Sequence, residues 1–538
     1  MNINKAKKTQ LNLFAFWPAF IILASFILTG AFFTKPLGAF LDNVLYYFAD
    51  HLGWYFSLIA LACPILAIAF VIGKYGDIRI GGDKAKPKFN MFSWCAITIC
   101  GGIGTGLLFW AMGEPIYHFA TPPVAAGVEP FTREAAIFAV SQAMWNWTFI
   151  QYSMYTLCAV GFALVTFNRK KSLSFGSLIE VVFGKRIPWL ETLVHVLVIF
   201  CLCAAVANSM GVGLLQIGAG LEAAFGIEQS PFIWLVTAIL IGVFFIISCV
   251  SGLSNGLKRV ASVTIYIFLA LLAYVLVFGD TMFIGKISAE AIGSLMDTWA
   301  QKTVTQNTMA PEDSWYANWI FQFWAQFLVY APVIGMFLSR MAYGRTVRQF
   351  VLVNVLVPSL FCILWIGVFG GMTVSLQINE VIDVWGTVNE SGMQSTVFQI
   401  LGSLPMGSIV TLVFLITICF SFCTLADPMA SVLATLSVKN LNFDEEPPRN
   451  IKIIMGVIIT VAAYILVASG GMSSIKGVYA IIGLILSVVV FMCFLVAFRL
   501  SKECITEENH GVIAEGEANQ ENKTIESSKL DELCLENS

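Results

Sequence analysis

Long apolar stretches separated by short polar segments run through almost the whole chain. Twelve of these stretches are long enough to cross the hydrocarbon core of a bilayer as helices. They lie at about residues 13–34, 52–73, 91–113, 136–167, 189–212, 231–250, 260–279, 315–341, 348–375, 406–436, 451–470 and 475–499. The pattern therefore predicts an all-α membrane protein with twelve transmembrane helices.

The charges of the polar segments predict how the chain is oriented. Cytoplasmic loops concentrate Lys and Arg, and a cytoplasmic N-terminus places 25 of the 30 Lys and Arg residues on that side. The five on the outer side are Lys35, Arg133, Lys286, Lys302 and Lys476. We therefore expect a multi-pass protein of the cell (inner) membrane with both termini in the cytoplasm.

Composition argues against several classes of function. Of the 538 residues, 58% are hydrophobic and only 12% are charged, as in proteins whose main partner is the lipid bilayer. Basic residues are scattered over short loops, so nucleic-acid binding is not expected. The four His and 13 Cys residues never reach metal-ligand spacing, and no catalytic motif is visible. We expect no enzyme activity, no cofactor and no metal site.

Two groups of five spans indicate an internal repeat. Spans three to seven and eight to twelve each begin with an unusual segment, and an odd number of spans per group inverts the second group. Inverted repeats of this kind form one large group of secondary transporters. The expected divisions are a cytoplasmic N-terminus (1–12), two peripheral spans (13–90), the first repeat (91–280), an extracellular loop with an interfacial amphipathic helix near 287–299 (281–314), the second repeat (315–500) and an acidic, disordered cytoplasmic tail (501–538).

The eighth span is rich in aromatic residues and ends in the basic cluster Arg340, Arg345 and Arg348. At about 100° per residue, most of the rings share one helical face. This face carries Tyr316, Trp319, Phe323, Phe327, Tyr330 and Ile334, with Trp324 to its side. Such rings either surround a quaternary ammonium through cation–π attraction or provide packing surface.

The fourth span offers a second set of rings. Trp147, Tyr152 and Tyr155 lie within an arc of about 140°, with Gln151 between them. A Trp and two Tyr residues could form the other wall of an aromatic cage, with their polar tips held by hydrogen bonds. Ordinary core packing is the alternative.

The third span contains four glycines within six residues, at Gly101, Gly102, Gly104 and Gly106. Glycine inside a helix costs about 1 kcal/mol relative to Ala. The cluster therefore indicates either an unwound segment facing a ligand or ion, or close helix packing. We interpret Glu114, Pro115 and His118, which follow, as a helix stop at the membrane interface.

A carboxylate lies within the tenth span, where Asp427 precedes Pro428. Acidic residues in a membrane are expensive and are functional candidates by default. Asp427 could neutralise a coupling cation, carry a proton, or hold a helix joint by accepting local hydrogen bonds.

The eighth span with its basic exit resembles the signature of the betaine/carnitine/choline transporter family, roughly W-T-x-F-x-W-A-W-W-x-x-x-x-P/I followed by F-x-A-R-I-S-x-G-R-T-x-R. The matching residues are Trp319, Trp324, Ala325, Pro332, Phe337, Arg340, Gly344, Arg345, Thr346 and Arg348. The likeness covers about residues 10–500, through the glycine segment with its Gly-Glu-Pro, the rings of span four and the segments 251–259 and 444–448.

This resemblance implies a secondary transporter of trimethylammonium solutes such as glycine betaine, carnitine or choline, with a leucine-transporter-like inverted-repeat fold and a homotrimeric assembly. The family's aromatic box carries over to Trp147, Tyr152, Tyr155, Phe327 and Tyr330, with Trp324 nearby, Trp319 toward the cytoplasmic route and Ile103 in the glycine segment. Where the family usually has a Trp-Trp pair, this chain has Gln326-Phe327. The box therefore loses an indole and gains an amide, which favours a solute with an extra polar group or a smaller ammonium head.

The resemblance also bears on ion coupling. Sodium-dependent members place a Thr-Ser pair of span ten against the glycine segment, whereas this chain has Thr424-Leu425 and so lacks one hydroxyl ligand. Sodium-independent carnitine exchangers share Thr-Leu but carry an Arg in span seven, where Thr264 stands here. The candidates for a coupling-ion site are Gly102, Ile103, Thr424 and Asp427.

We expect sodium-independent exchange or weakly ion-coupled uptake. A symporter that couples the same substrates to Na⁺ or H⁺ is the alternative. A non-transporting membrane sensor on the same fold is an alternative of another class.

Overall fold

The computed structural model describes residues 10–252, 256–306, 308, 313–439, 445–469 and 475–536. Within these ranges, the side chains of residues 10, 103–105, 475 and 507–536 lie outside the description. The described chain is almost entirely helical. Its single small sheet pairs β1 (Gln10–Leu11) antiparallel with β2 (Val438–Lys439), which ties the N-terminal segment to the region after the tenth span.

The helices follow the predicted spans closely. They are α1 (Leu13–Phe32), α2 (Thr34–Ile72), α3 (Met91–Ala120), α4 (Arg133–Asn146), α5 (Phe149–Ala163), α6 (Phe175–Phe183), α7 (Pro188–Phe225), α8 (Pro231–Ser251), α9 (Lys258–Phe278), α10 (Thr281–Val304), α11 (Gln322–Ser339), α12 (Val347–Ile378), α13 (Val384–Gly402), α14 (Gly407–Leu436), α15 (Arg449–Ala468) and α16 (Ile475–Glu536). Within the described residues, eleven helices are long and apolar enough to cross a membrane, or twelve if the two halves of α3 count as one span.

Several elements outside the spans extend or modify this pattern. The second span starts earlier than its apolar stretch, because α2 begins at Thr34 and runs for 39 residues. The interfacial helix predicted near 287–299 is α10, which extends from Thr281 to Val304. Two further helices, α6 and α13, were not predicted, because their apolar runs are too short to stand out from the neighbouring loops.

Three spans depart from a straight α-helix. In α3, the segments Met91–Gly102 and Gly106–Ala120 meet at a bend of 58°. Span four is divided into α4 and α5 by the non-helical backbone of Trp147 and Thr148. Span eight opens with a π-helical turn, Ala317–Phe321, immediately before α11. Interruptions of this kind free backbone groups and redirect side chains.

The packing of the spans has the symmetry of an inverted repeat. If spans three to seven are matched with eight to twelve, the contact of α3 with α12 corresponds to that of α11 with α5. In the same way, α3 with α9 corresponds to α11 with α16, and α7 with α15 corresponds to α14 with α8. The protein is thus an all-α membrane protein with a five-plus-five, leucine-transporter-like core.

The basic exit of span eight fixes the connection between the peripheral spans and the core. Arg348 donates from Nε to the carbonyl of Val71, 2.7 Å away, at the end of α2. Arg345 donates to the carbonyl of Phe89 at 2.7 Å and lies over the ring of Trp94 at 4.6 Å. These arginines therefore hold the segment between α2 and α3 against the start of α12.

The acidic tail follows span twelve without a break in secondary structure, because α16 runs from Ile475 to Glu536. Its disorder stays a prediction from composition.

Candidate functional site

A cavity of about 510 Å³ lies in the centre of the bundle, between α3, α5, α7, α11 and α16. Seven of the residues predicted as site residues line it. These are Gly102, Trp147, Tyr155, Trp319, Gln326, Phe327 and Tyr330. The structure therefore brings the rings of spans four and eight together around one space.

The rings form two adjoining walls. Trp147 meets Phe323 edge to face, with ring centroids 5.5 Å apart, and Tyr155 meets Phe327 in the same way at 6.3 Å. Phe323 and Phe327 are one helical turn apart on α11, with centroids separated by 5.7 Å. Perpendicular rings leave several π faces available to the same small volume, which is the geometry that surrounds an ammonium group.

The cavity is free of acidic side chains among the described residues that line it. Its one charged residue is Lys476, at the start of the last span, whose Nζ donates to Asn318 Oδ1 at 3.3 Å. A cation in this cavity would be held by aromatic faces rather than by a carboxylate. The lysine adds a positive charge that suits an anionic group on the same solute.

Two residues predicted for the box lie outside the cavity lining. The hydroxyl of Tyr152 is 3.3 Å from Cys362 Sγ on α12, and its ring packs behind Gly102. Trp324 is fully buried against Trp145, with centroids 4.8 Å apart. The 100° rule that placed Tyr152 on one face with Trp147 does not hold across the break at Trp147 and Thr148, which resets the helical phase, so a contact of Tyr152 with the solute stays a prediction.

Tyr316 also departs from its predicted face. Its hydroxyl donates to Gln306 Oε1 at 3.1 Å and lies 3.4 Å from Ser57 on α2. The π-helical turn at Ala317–Phe321 inserts one extra residue into the first turn of the span, so the phase of Tyr316 is shifted relative to α11.

Trp319 lies at the end of the cavity away from the basic exit of span eight. Its ring contacts Trp110 and Tyr117, with centroids 5.5 Å away in each case. Tyr117 in turn contacts Trp385 on α13 at 5.4 Å. Under the orientation predicted from charge, this cluster would mark the outer mouth, whereas the resemblance places Trp319 toward the cytoplasmic route, so the side on which Trp319 acts stays a prediction.

The glycine segment allows the box to form. A Cβ at Gly102 would lie 2.9 Å from the ring of Tyr152, and one at Gly106 would lie 3.0 Å from the ring of Trp147. The carbonyl of Gly102 accepts a hydrogen bond from Gln151 Nε2 at 3.3 Å. The close contacts support the packing interpretation, whereas α3 is helical through the segment, so an unwound segment that faces a ligand or ion stays a prediction. The side chain of Ile103 lies outside the described residues.

A buried polar network behind Trp147 was missed by the sequence analysis. Glu114 accepts from Trp147 Nε1 at 2.7 Å through one oxygen, and from Asn146 Nδ2 through the other. His118 Nε2 is 3.2 Å from the same carboxylate, and Trp315 Nε1 donates to His118 Nδ1 at 3.2 Å. The ring proton of His118 therefore lies on Nε2. Because α3 continues to Ala120, Glu114 is a fully buried residue inside the helix, rather than a helix stop at the interface.

The cavity also exposes unpaired hydrogen-bond acceptors. Gln151 Oε1 and Asn208 Oδ1 have no hydrogen-bond partner among the described residues, and both side chains line the space. The hydroxyl of Tyr479 lies near both Asn208 and Tyr330. Leaving a buried acceptor unpaired costs about 1–3 kcal/mol, so these oxygens are suited to a solute that carries N–H or O–H groups.

Two of the candidates for ion coupling, Thr424 and Asp427, are on α14 and outside the cavity lining. Thr424 Oγ1 donates to the carbonyl of Cys100 at 3.2 Å, beside the glycine segment. Asp427 is farther along α14, where its Oδ2 accepts from Ser248 Oγ at 2.7 Å. This bond links α14 to the end of α8, as a helix joint would. Neither residue lines the central cavity.

Comparison with known proteins adds to this geometry. The chain is 28% identical over 479 residues to a protein of Desulfitobacterium hafniense (strain Y51) named as a probable glycine betaine transporter, covering 88% of this chain and 93% of the relative. It is 27% identical over 471 residues to an ectoine/hydroxyectoine transporter of Virgibacillus pantothenticus, covering 87% and 92%. A high-affinity choline transport protein of Escherichia coli (strain K12) is 26% identical over 489 residues, covering 90% and 71%.

A solved sialic acid symporter, described as Na⁺-coupled and outward-open, aligns with a TM-score of 0.45 at 12% identity, over 85% of this chain and 86% of that one. A family model matches residues 14–506, which is nearly the whole chain. Its description is betaine/carnitine/choline family transporter. Together with the inverted-repeat core, this match shows that the chain belongs to the betaine/carnitine/choline transporter family.

Proposed function

We propose that this protein is a secondary active transporter that carries small quaternary ammonium solutes across the cell membrane. The observation that carries the proposal is the aromatic cavity without acidic side chains. A permanently charged, methylated headgroup has no N–H group to donate. It therefore forms no hydrogen bond with a carboxylate, whereas a π face attracts its charge directly. Each desolvated cation–π contact is worth about 1–2 kcal/mol, and Trp147, Tyr155 and Phe327 stand where three such contacts can form.

The polar end of the cavity supports a bifunctional solute. Lys476 would attract a carboxylate, whereas Gln151 Oε1 and Asn208 Oδ1 would accept from a hydroxyl or an N–H group. Gln326, which accepts from Gln322 Nε2 at 3.0 Å, adds an amide at the position where the family usually has an indole. A betaine, choline or carnitine with its headgroup in the box and its polar end among these groups fits this arrangement.

Transport would proceed by alternating access around the central cavity. At one end the rings of Trp110, Tyr117 and Trp319 stand together. At the other end polar contacts close the bundle, among them Asp427 with Ser248, and Arg340 with Thr435 Oγ1 at 2.9 Å. Rocking of one helix group against the other would open these ends in turn.

We further propose sodium-independent exchange, or uptake only weakly coupled to an ion. The Thr424 hydroxyl is shared between the carbonyls of Ser421, 2.8 Å away, and Cys100, 3.2 Å away, and the next residue, Leu425, offers no side-chain oxygen. A hard cation such as Na⁺ prefers several oxygen ligands, and one hydroxyl with neighbouring carbonyls forms a poor site. Symport with Na⁺ or H⁺ is the alternative, and Asp427 would then be the first residue to test.

Three other proposals concern the cellular setting. The charge distribution supports a location in the inner membrane with both termini in the cytoplasm. Membership of the family supports a homotrimer. The composition supports the lipid bilayer as the main partner of the protein and does not support nucleic acid as a partner.

Reconstitution in liposomes tests the proposal. Labelled glycine betaine, choline and carnitine would be supplied outside the liposomes, with and without sodium. Each condition would be repeated with and without unlabelled solute inside the liposomes. We expect uptake that is stimulated by internal solute and changes little with sodium. Saturable binding without flux would instead support a membrane sensor, and steep dependence on a sodium gradient would support symport.

Variants of the box give the residue-level test. Trp147→Ala and Phe327→Ala should each raise the half-saturating concentration about 5-fold to 30-fold, as expected from the loss of about 1–2 kcal/mol. Phe491→Ala is the matched control, because its ring is 59% exposed on the surface of α16 and far from the cavity lining. Unchanged binding of all three solutes in both box variants would contradict the assignment of the box.

A further inference from the structure

A second cavity, of about 320 Å³, lies apart from the central one, beneath the interfacial helix α10. It is lined by residues of α4, α10 and the 3₁₀ turn Val124–Ala126, and by Trp315 and Ile320 at the start of span eight. Its polar lining residues are Gln142, Ser294, Thr298, Gln301, Lys302 and Thr305, with Glu134 among the remaining residues that line it. Under the predicted orientation, this outer cavity is on the extracellular side.

Lys302 is the distinctive group of the outer cavity. Its side chain is largely buried, and Nζ donates to Ser141 Oγ at 2.7 Å and lies 5.4 Å from the centre of the Phe138 ring. Among the described residues, Lys302 forms no salt bridge within 4.0 Å. The carboxylate that lines the same cavity belongs to Glu134, which is exposed on the first turn of α4.

A buried ammonium group with a hydroxyl as its partner is costly. Water would solvate the charge better than one Ser oxygen and one aromatic ring can. Burial accordingly lowers the pKa of Lys302 to about 7. The titratable groups on the surrounding elements are His118 on α3, Glu134 on α4 and Asp313, which accepts from the backbone N–H groups of Val124 and Trp315. A negative ligand in the cavity would supply a counter-charge within salt-bridge distance of Lys302, which none of the described residues does.

Two chains of contacts lead from the outer cavity to the aromatic box. In the first, Gln142 Nε2 donates to Asn146 Oδ1 at 3.1 Å, and Asn146 donates to Glu114. In the second, Trp315 lines the cavity and reaches Glu114 through His118. Both chains end on the carboxylate that accepts from Trp147 Nε1.

We propose that the outer cavity is a binding site for a small monovalent anion, held by Lys302 and coupled through Glu114 to the position of Trp147. The ligand carries a single negative charge and accepts hydrogen bonds, through either oxygen atoms or a halide ion. Both a small inorganic anion and a small carboxylate have this chemistry. The ammonium of Lys302 pairs with the charge, and the hydroxyl and amide groups of the lining donate hydrogen bonds. The anion therefore acts on substrate affinity from outside the transport pathway.

Thermal stability of the purified full chain tests the site without reference to any substrate. At pH 6, sodium gluconate would be replaced stepwise by sodium chloride or by sodium acetate at constant ionic strength. We expect a saturable rise in Tm for the wild-type protein, because a ligand that binds only the folded state stabilises it. A rise with both salts indicates a general anion site, whereas a rise with acetate alone identifies a carboxylate site.

Three variants separate this effect from general salt effects. Lys302→Met should remove the anion-dependent rise and still fold, because it replaces a buried charge with an apolar chain of similar length. Lys302→Arg should retain the rise. Lys286→Gln is the matched control, since Lys286 is an exposed lysine on the same helix. A flat Tm in the wild type, or an undiminished rise in Lys302→Met, would overturn the proposal.

The coupling to Trp147 needs a second measurement, which rests on the proposed transport function. The half-saturating concentration for choline uptake would be compared in gluconate and in acetate or chloride. We expect a change of about fivefold, within the usual range for coupled sites, which is lost in Lys302→Met and in Gln142→Leu. Anion-dependent Tm with no anion effect on uptake would refute the coupling alone. Failure of all uptake would refute the proposed function and leave the anion site standing.

Discussion

Replacing Glu114 tests whether the buried network positions the aromatic box. Glu114 accepts from Trp147 Nε1 at 2.7 Å, from Asn146 Nδ2 and from His118 Nε2, so three donors converge on one carboxylate. A hydrogen bond to a charged partner contributes about 1.5–3 kcal/mol net. Glu114→Gln keeps the shape, but it places an amide NH₂ against donors and must break at least one of these bonds.

We expect Glu114→Gln to lower Tm and to raise the half-saturating concentration of the solute about tenfold, which corresponds to about 1.4 kcal/mol. Trp147→Phe keeps an aromatic face and removes only the N–H donor, so it should produce a similar loss. The double variant should then lose little more than either single variant, with a coupling energy of about 1–2 kcal/mol. Glu129→Gln, a change at an exposed acidic residue near the outer surface, is the control.

The assay is equilibrium binding of radiolabelled solute to purified protein, which avoids any rate-limiting transport step. Calorimetric Tm values on the same samples report the structural cost separately. If the losses from Glu114→Gln and Trp147→Phe simply add, the carboxylate does not act through the indole. If neither change alters binding, Trp147 does not form part of the site.

The remaining predictions concern close packing, charge burial and ring identity. Gly106→Ala should weaken solute binding, because the added Cβ would lie 3.0 Å from the Trp147 ring. Gly285→Ala on α10 should raise Tm, because the added Cβ meets nothing within 4 Å and Ala favours a helix over Gly. Binding curves check the first variant and melting curves check the second. Lys302 has a pKa lowered by burial to about 7, against about 10.4 in the unfolded chain, so the folded protein binds fewer protons between these values. Wild-type Tm should therefore rise as pH increases from about 7 toward 10, relative to Lys302→Met, and equal pH profiles would contradict this. Phe327→Trp should tighten binding of trimethylammonium solutes several-fold, because indole gives the strongest cation–π contact, and looser binding in a competition assay would count against the position of this ring.

For Asp427, the structure favours one of the roles that the sequence allowed. The sequence left three roles open, because a carboxylate in a span is costly whatever it does. In the structure its Oδ2 accepts from Ser248 across α8 and α14, on the far side of Thr424 from the cavity. A role in joining helices is therefore the simplest physical account of this residue, and its part in coupling stays a prediction.

The sequence by itself determined the membrane character, the number and approximate bounds of the spans, and the presence of the helix α10 between spans seven and eight. These features follow from local hydropathy, because a continuous apolar helix of about twenty residues satisfies its own backbone hydrogen bonds inside a bilayer. The residues Phe323, Phe327 and Tyr330 were also placed on one face correctly, since α11 is regular between them.

Only the tertiary structure decided which rings face the cavity and which polar groups hold them. Tyr316 turns away from the cavity because a π-helical turn shifts its phase relative to α11, and the break at Trp147 and Thr148 interrupts span four ahead of Tyr152. Neither irregularity leaves a clear mark in the sequence. The bonds between Glu114 and Trp147 join residues 33 positions apart. Such pairings depend on how the helices bend and cross in three dimensions, whereas the hydrophobic pattern records only whether each helix is buried.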